Sequence, residues 1–109
     1  MSVEEFATVF NQNKNLKVID VRRKSEYNSE HVVGVENFPL DFIHENIHQL
    51  NPDKTYYLHC AGGYRSMIAA SILKSKGFEH LVEVAGGFKA IKATNAFALT
   101  EYVCPTTLL

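Results

Sequence analysis

Residues 55–76 read TYYLHCAGGYRSMIAASILKSK, and this stretch predicts a strand, a glycine-rich loop and a helix in immediate succession. Thr55 to His59 is rich in aromatic residues and predicts a strand. Ala61-Gly62-Gly63 predicts a tight loop. A helix is predicted from Tyr64 to about Lys76, with apolar residues recurring on one face. These apolar residues are Ile68, Ala69, Ile72 and Leu73.

Strand and helix patterns alternate on both sides of this unit. The chain begins with a predicted helix that has Ser2 and Glu5 as a capping box and Phe6, Val9 and Phe10 on its inner face. A strand over Leu16–Val21 and a short helix or turn over Lys24–Ser29 follow. Next we predict a strand over Val32–Phe38, interrupted by Gly34, and a helix over Phe42–Leu50, capped by Asp41. After residues 55–76 we predict a strand over Leu81–Ala85 and a short helix over Phe88–Lys92. The alternation predicts an α/β fold with a mostly parallel sheet.

The composition is that of a globular protein. The 109 residues suffice for a single domain over residues 1–109, with 46% hydrophobic and 21% charged residues. The formal net charge is −1, so the excess of Lys and Arg that a nucleic-acid surface needs is missing. No apolar run approaches the roughly 20 residues that cross a bilayer. The first residues also lack the pattern of a secretory signal. We therefore expect a cytoplasmic protein without nucleic-acid or membrane partners.

The chain has two cysteines, Cys60 and Cys104. Small secreted disulfide scaffolds usually contain more, so at least one thiol is expected to be free. Cys60 follows the predicted strand of residues 55–59, and ligands bind beyond the carboxyl ends of strands in parallel sheets. Cys104 precedes Pro105 near the end of the chain. A structural role is the simpler interpretation of Cys104, and a role as a resolving thiol stays open.

The loop after Cys60 has the composition of an anion cradle. Gly62 and Gly63 permit backbone angles that turn successive N–H groups inward. The helix start adds a partial positive charge and Arg65 adds a full one. Such surroundings lower a thiol pKa from about 8.5 into the range of roughly 3.5–7.5, and the thiolate is the nucleophile. An isolated cysteine is more often a small buried hydrophobe, but a buried cysteine has no need of an anion cradle.

Several motifs together resemble the rhodanese family in order and spacing. The resemblance extends from about Val3 to Ile91. The motifs are Val18-Ile19-Asp20-Val21-Arg22, Glu26-Tyr27, His31, Gly34, Asn37-Phe38-Pro39, Cys60-Ala61-Gly62-Gly63-Tyr64-Arg65-Ser66 and Gly86-Gly87-Phe88. The resemblance implies an open, mostly parallel sheet of about five strands flanked by helices on both faces. The chain departs from the family pattern at Val32-Val33 and at Ile91, both outside the loop.

The resemblance also implies a sulfurtransferase. Cys60 would form a persulfide, Arg65 would close the cradle, and the backbone N–H groups of residues 61–65 would hold the terminal sulfur. Tyr64 and Ser66 are expected at the pocket rim, where either could contact substrate, and helix capping is the plainer role for Ser66. The sulfur donor would be thiosulfate or a persulfide, and the acceptor cyanide, a low-molecular-weight thiol or a protein thiol. We expect neither a metal nor an organic cofactor.

The chain is also similar to rhodanese domains attached C-terminally to metallo-β-lactamase-fold hydrolases related to persulfide dioxygenases. The resemblance includes the Tyr102-Val103-Cys104-Pro105 segment. The chain itself has no His-x-His-x-Asp metal motif. It could therefore be one domain of a larger hydrolase fusion, the partner of such a hydrolase, or a stand-alone relative.

Three other functions remain open at this point. Related phosphatases have five residues between the loop cysteine and arginine, whereas four lie between Cys60 and Arg65, which makes a tighter cradle. A noncatalytic rhodanese-like binding or regulatory module would often lack the cysteine. A thioredoxin-type redox protein would carry Cys-x-x-Cys, which this sequence lacks.

Charged residues near the predicted strand ends are candidates for supporting roles. Asp20 could orient Arg65 by pairing with it, or cap the next turn. Arg22 is expected to pair with Glu26. His59 should point to the opposite side of its strand from Cys60, because side chains alternate along strands. His31 is expected to anchor the first loop by hydrogen bonding.

Overall fold

Four parallel strands form the sheet in the computed structural model, which describes residues 1–13 and 15–103. Their order across the sheet is β2-β1-β3-β4. The strands are β1 (Val18–Asp20), β2 (Glu36–Asn37), β3 (Tyr56–His59) and β4 (Leu81–Glu83). Asp20 pairs with Asn37 on one side and with His59 on the other, so the carboxyl ends of the three strands are aligned. The predicted parallel α/β fold is confirmed, with four strands among the described residues instead of about five.

Helices precede, connect and follow these strands. They are α1 (Val3–Gln12), α2 (Lys24–Ser29), α3 (Ile43–Asn46), α4 (Tyr64–Ser75) and α5 (Gly87–Thr94). The predicted N-cap of α1 is confirmed, since the Ser2 hydroxyl accepts the Glu5 N–H at 3.2 Å. The Ser2 hydroxyl also donates to the Glu5 carboxylate at 3.1 Å. No helix among the described residues is long and apolar enough to cross a membrane.

The helices cover both faces of the sheet, as expected, and each face has its own hydrophobic core. The alternation of side chains along the strands separates the two cores. The first contains Ile19, Val21, Leu58 and Cys60 of the sheet side, with Ile43 of α3 and Ala69 and Leu73 of α4. The second contains Val18, Val32, Val35 and Val84, with Val3 and Phe6 of α1 and Phe88 and Ile91 of α5.

The segment between β1 and β3 departs from the predicted elements. Of the strand predicted over Val32–Phe38, only β2 joins the sheet, because the chain turns at Val33 and Gly34. Val32 instead forms an isolated antiparallel bridge with Leu99. The chain after α5 thus returns beside residues 29–33, where the Thr100 N–H also donates to the His31 carbonyl oxygen at 2.9 Å.

The helix predicted over Phe42–Leu50 is broken into three short pieces. The 3-10 turns Leu40–Phe42 and Ile47–Gln49 flank α3. Asp41 lies inside the first of these turns, so the prediction that it caps the helix is wrong. Its carboxylate instead lies 3.7 Å from Nε of Arg23, and both side chains are exposed.

Candidate active site

Cys60 lies between the end of β3 and the start of α4, at the carboxyl edge of the sheet. The Gly63 amide nitrogen donates a hydrogen bond to Cys60 Sγ at 2.9 Å. Gly63 is the N-cap of α4 and has φ +104°, a conformation that L side chains rarely adopt. The sulfur therefore lies against the N-terminus of a twelve-residue helix, where a negative charge is stabilised.

The hydrogen bonds around the sulfur change its acidity. Burial raises the pKa of the Cys60 thiol, but hydrogen bonds from the backbone and hydroxyl of Ser66 and from the Gly63 and Gly62 amides lower it, and the net pKa lies below its ordinary value. Several amides directed at one atom form a preorganised anion site. This arrangement favours the thiolate, which is the nucleophilic form of cysteine.

Ser66 lies beneath the sulfur. It was expected at the pocket rim, but it is 1% exposed, so that expectation is wrong. Its hydroxyl lies 3.7 Å from Cys60 Sγ and 3.1 Å from the Gly63 carbonyl oxygen. Ser66 is the third residue of α4, where one helical turn brings its side chain back over the loop. Its hydroxyl donates to the carbonyl of the N-cap residue and thereby ties the helix start to the loop.

The cysteine itself is 1% exposed. A sealed sulfur with the loop amides turned away would contradict a catalytic role, but the Gly63 amide points at Sγ. The loop beside it is accessible, since Gly62 and Tyr64 are exposed and Ala61 is half-buried. The loop beside the buried sulfur is therefore open to solvent at these residues.

The N-terminus of α5 holds the outer side of the loop. The Phe88 amide donates to the Cys60 carbonyl oxygen at 2.6 Å, and the Lys89 amide donates to the Ala61 carbonyl oxygen at 3.1 Å. The approach is close at Gly87, where an added Cβ would lie 2.4 Å from the Cys60 carbonyl oxygen. With their carbonyl groups bound on the outside, the loop peptides leave amides free to face the sulfur. The Gly86-Gly87-Phe88 motif marked this contact in the sequence, although its role there was unassigned.

Arg65 is paired with Glu26 of α2. NH1 and NH2 of Arg65 donate to Oε1 and Oε2 of Glu26 at 2.6 and 2.9 Å. The Arg23 amide also donates to Oε1 of Glu26 at 3.1 Å, which fixes the carboxylate at the start of α2. The bidentate bond to Arg65 lowers the pKa of Glu26, and the bond to Glu26 raises the pKa of Arg65. Sequence reasoning missed this contact, because nothing in the spacing brings residues 39 positions apart together.

Asp20 and Arg22 form a separate buried pair. Nε and NH2 of Arg22 donate to the Asp20 carboxylate at 2.8–3.0 Å, and the Arg22 amide donates to the same group at 2.9 Å. The predicted pair Arg22–Glu26 is therefore wrong. Of the two roles left open for Asp20, pairing with Arg65 is not observed, whereas the bond that its carboxylate accepts from the Arg22 amide caps the turn after β1. Asp20 is fully buried and Arg22 is 5% exposed, and a buried charge is stable only beside a close partner.

Arg22 also connects distant parts of the site. Its NH2 group donates to the Glu30 carbonyl oxygen at 2.7 Å. Its guanidinium lies 4.2 Å from the centre of the Phe88 ring, within the range of a cation–π contact. Arg22 thus links the end of β1 to α2 and to the helix that holds the loop.

His59 points away from Cys60, as strand alternation predicts. Its ring stacks on Phe88, which belongs to the second core, whereas Cys60 belongs to the first. Nδ1 lies 3.2 Å from the Cys60 carbonyl oxygen and Nε2 lies 3.8 Å from Oδ2 of Asp20. Burial lowers the pKa of His59, so the neutral form is favoured.

His31 anchors the first loop, as expected. Its Nδ1 lies 2.7 Å from the Tyr27 carbonyl oxygen, and its ring stacks on Tyr27 with the ring centres 3.6 Å apart. Asn37 adds a second anchor, because its side-chain amide donates to the carbonyl oxygens of Asp20 and Arg22 at 3.0 Å. The predictions for Cys104 fall on residues outside the described part of the chain.

Comparison with known proteins identifies the family of this fold and loop. The rhodanese-like domain family matches residues 2–94. The chain therefore belongs to the rhodanese-like domain family, as the resemblance indicated. A rhodanese-like domain protein from Staphylococcus aureus has the same fold, with a TM-score of 0.77 and 28% identity over 84% of this chain and 88% of that one. The rhodanese-like domain of an Anabaena protein has a TM-score of 0.82 and 26% identity, over 93% of this chain and 77% of that one.

Sequence relatives include sulfurtransferases. The thiosulfate sulfurtransferase PspE of Escherichia coli is 44% identical over 75 residues, which is 67% of this chain and 71% of PspE. The putative sulfur carrier protein YrkF of Bacillus subtilis is 32% identical over 89 residues, or 82% of this chain. That match spans about half (48%) of YrkF. A fusion to a metallo-β-lactamase-fold hydrolase is not among these findings and stays a prediction.

Proposed function

We propose that this chain is a sulfurtransferase that moves sulfane sulfur through a persulfide on Cys60. The observation that carries the proposal is the hydrogen bond from the Gly63 amide to Cys60 Sγ at the N-terminus of α4, which lies among groups that lower the pKa of the Cys60 thiol. A noncatalytic module has no use for an activated thiol. The similarity to PspE and to the rhodanese-like domain family supports the same function.

The reaction has two displacement steps. The Cys60 thiolate attacks the outer sulfur of thiosulfate and forms a new S–S bond. The sulfur–sulfur bond of thiosulfate breaks, and its electron pair leaves with sulfite. A persulfide donor would release a thiolate in the same way. Cyanide or an acceptor thiolate then attacks the outer sulfur of the persulfide. The outer sulfur is released as thiocyanate or as the persulfide of the acceptor. The electron pair of the broken S–S bond stays with Cys60, which becomes a thiolate again.

The loop assists these steps electrostatically. Amides already directed at Sγ need no reorganisation when the negative charge moves to the outer sulfur. The exposed backbone at Gly62 is the surface past which the donor sulfur would enter. No step requires a metal. Among the described residues no group of three His, Cys, Asp or Glu side chains is arranged to bind one.

The test is mass spectrometry after incubation with thiosulfate. We expect the peptide that contains Cys60 to gain one sulfur atom, which cyanide removes as thiocyanate. The peptide that contains Cys104 serves as an internal comparison. Cys60→Ser should abolish both the gain and the turnover, lowering the rate by more than about 10³-fold, the scale of losing a catalytic nucleophile.

Other results would contradict the proposal. Turnover that survives Cys60→Ser would show that another group carries the sulfur. An unmodified Cys60 after incubation with both thiosulfate and a persulfide would favour a noncatalytic module. Hydrolysis of a phosphotyrosine analogue that depends on Cys60 would favour a phosphatase.

A further inference from the structure

We propose that Glu26 determines donor specificity by neutralising Arg65, so that the cradle favours donors with a single negative charge over dianions such as thiosulfate. The inference rests on the sulfurtransferase function proposed above and deepens it. It follows from the bidentate contact between the two side chains. That contact was absent from the predicted role of Arg65, which was to supply a full positive charge to the cradle.

The geometry commits the Arg65 guanidinium to Glu26. Both terminal nitrogens of the guanidinium contact a carboxylate oxygen, at 2.6 and 2.9 Å. The Arg23 amide holds Oε1 of Glu26 in place from the other side. The paired side chains together have no net charge. A carboxylate held by three donors leaves its arginine only with the loss of charge-assisted hydrogen bonds.

Arg65 belongs to the same loop and helix start as the sulfur. Arg65 lies five residues after Cys60, in the first turn of α4. The negative charge of the Cys60 thiolate raises the pKa of Arg65, after the larger contribution of Glu26. An incoming donor would therefore meet the combined field of Arg65 and Glu26, and this field is weaker than that of a free arginine.

The other cations near the loop do not replace Arg65. Arg22 is buried and paired with Asp20. Lys89 contacts the loop through its backbone amide, and its exposed side chain reaches solvent, where charge is screened. The groups that directly stabilise negative charge at the sulfur are amides and the Ser66 hydroxyl, which suit one anionic atom.

The charge balance of the reaction separates the two donor classes. Thiosulfate brings two negative charges to a thiolate, so three must be accommodated, and sulfite leaves with two of them. A simple persulfide brings at most one charge and its thiolate leaves with one. With Arg65 neutralised, the additional charge of thiosulfate is uncompensated. We therefore expect persulfides of small thiols to be the better donors.

The first experiment measures the charge of the cradle without sulfur transfer. Iodoacetate and iodoacetamide alkylate the same thiolate, but iodoacetate is an anion and iodoacetamide is neutral. In Glu26→Gln we expect the rate of alkylation of Cys60 by iodoacetate, divided by the rate with iodoacetamide, to rise roughly two- to fivefold. This is the size of one charge effect at a partly exposed site. The ratio is insensitive to the thiol pKa, because both reagents react with the thiolate.

Glu30→Gln is the matched control. Glu30 follows α2 directly, so its substitution changes the same charge beside the same helix, but its carboxylate pairs with Lys92 at 2.8 Å. The ratio of the iodoacetate rate to the iodoacetamide rate in Glu30→Gln should match that of the unsubstituted protein. An unchanged ratio in Glu26→Gln, or an equal rise in Glu30→Gln, would overturn the inference.

The second experiment compares donors. In Glu26→Gln, kcat/KM for thiosulfate should rise by roughly two- to fivefold, mainly through KM, relative to kcat/KM for the persulfide of 2-mercaptoethanol. A purely structural role of Glu26 would lower both values equally, which would overturn the inference. If neither donor is turned over by the unsubstituted protein, the proposed function fails, while the alkylation ratio still tests the charge of the cradle.

Discussion

The Ser66 hydroxyl lies near two possible hydrogen-bond acceptors, the Gly63 carbonyl oxygen and Cys60 Sγ. The acceptor to which it donates depends on whether Cys60 is a thiol or a thiolate. When Cys60 is a thiol, S–H can donate to Ser66, and Ser66 donates to the Gly63 carbonyl oxygen. When Cys60 is a thiolate, rotation about the C–O bond lets the same hydroxyl donate to sulfur. This hydroxyl and the Ser66 amide both lower the pKa of Cys60. A buried residue that sequence reasoning placed at the pocket rim is thus part of the thiolate site.

Substitution of Ser66 by alanine should raise the pKa of Cys60. The variant keeps the Ser66 amide but loses the hydroxyl, so a higher pH is needed to form the thiolate. We expect the pH profile of Cys60 alkylation by iodoacetamide to shift to higher pH, with a slower rate at neutral pH. Ser75→Ala is the control, because Ser75 makes a similar bond, to the Ile72 carbonyl oxygen, at the other end of α4. Equal profiles for the two variants would contradict this role.

The charged residues show how far sequence reasoning extends at this scale. The position of Cys60 beside inward-facing amides follows from the residue types in the loop. The partners of the charged groups do not follow, because Asp20, Arg22, Glu26 and Arg65 allow more than one pairing. Burial decides between them. Asp20 is fully buried beside the neighbouring Arg22, whereas Glu26 and Arg65 remain about one-third exposed.

At the scale of elements, α5 supports the loop from outside. Its first amides bind the carbonyl groups of Cys60 and Ala61, and Gly87 allows the close approach. The loop is therefore held between two helix N-termini, that of α4 inside and that of α5 outside. Gly86-Gly87 is therefore part of the support for the Cys60 loop, although the two segments are far apart in the sequence.

Substitution of Gly87 by alanine should disturb this contact. Gly87 has φ +58°, and its added Cβ would lie 2.4 Å from the Cys60 carbonyl oxygen. We expect a loss of unfolding free energy beyond the roughly 1–2 kcal/mol of left-handed strain, and a shift of Cys60 alkylation to higher pH. Urea denaturation and iodoacetamide kinetics measure the two effects.

Gly34→Ala is the control for backbone strain. Gly34 has φ +92°, but an added Cβ would meet no atom within 4 Å. The Gly34→Ala variant should therefore lose unfolding free energy without any change in the rate of Cys60 alkylation. The contact between α5 and the loop would be unimportant if Gly87→Ala behaved in the same way.

The bounds of the elements show where local pattern was sufficient. β3 and α4 were predicted within one residue, since they have a clear strand pattern, helix face and glycine boundary. The strand predicted over Val32–Phe38 was too long, because Val32, Val35 and Phe38 are buried without strand pairing along the whole segment, and Val33 is exposed. Val32 packs in the second core and bridges to Leu99. Tertiary packing satisfied the hydrophobic pattern there without a long strand.

At the scale of the whole molecule, only one of the two hydrophobic cores contains the candidate nucleophile. The first contains Cys60 and the inner face of α4. The second contains α1 and an aromatic group around Phe6, whose ring centre lies 5.4–6.0 Å from those of Phe10, Tyr57 and Phe97. The sheet separates this aromatic group from the sulfur.

Substitution of Phe6 by alanine should lower stability by about 3–5 kcal/mol, because it removes a fully buried ring. Urea denaturation measures the loss, and Phe6→Leu should give a smaller one if the alanine variant does not fold. In the folded protein, Cys60 should be alkylated with an unchanged pH profile. A shifted profile would show that the aromatic group also positions the loop.

The amides around Cys60 connect proton release to the folding equilibrium. A thiol that is more acidic in the native chain than in the unfolded chain makes folding more favourable as pH rises through its native pKa, and the gain is complete above the unfolded value. A covalent cap that leaves the sulfur uncharged cancels this gain. The stability of the native conformation therefore depends on whether the sulfur is ionised, because the backbone dipoles that would assist the proposed reaction also stabilise the fold.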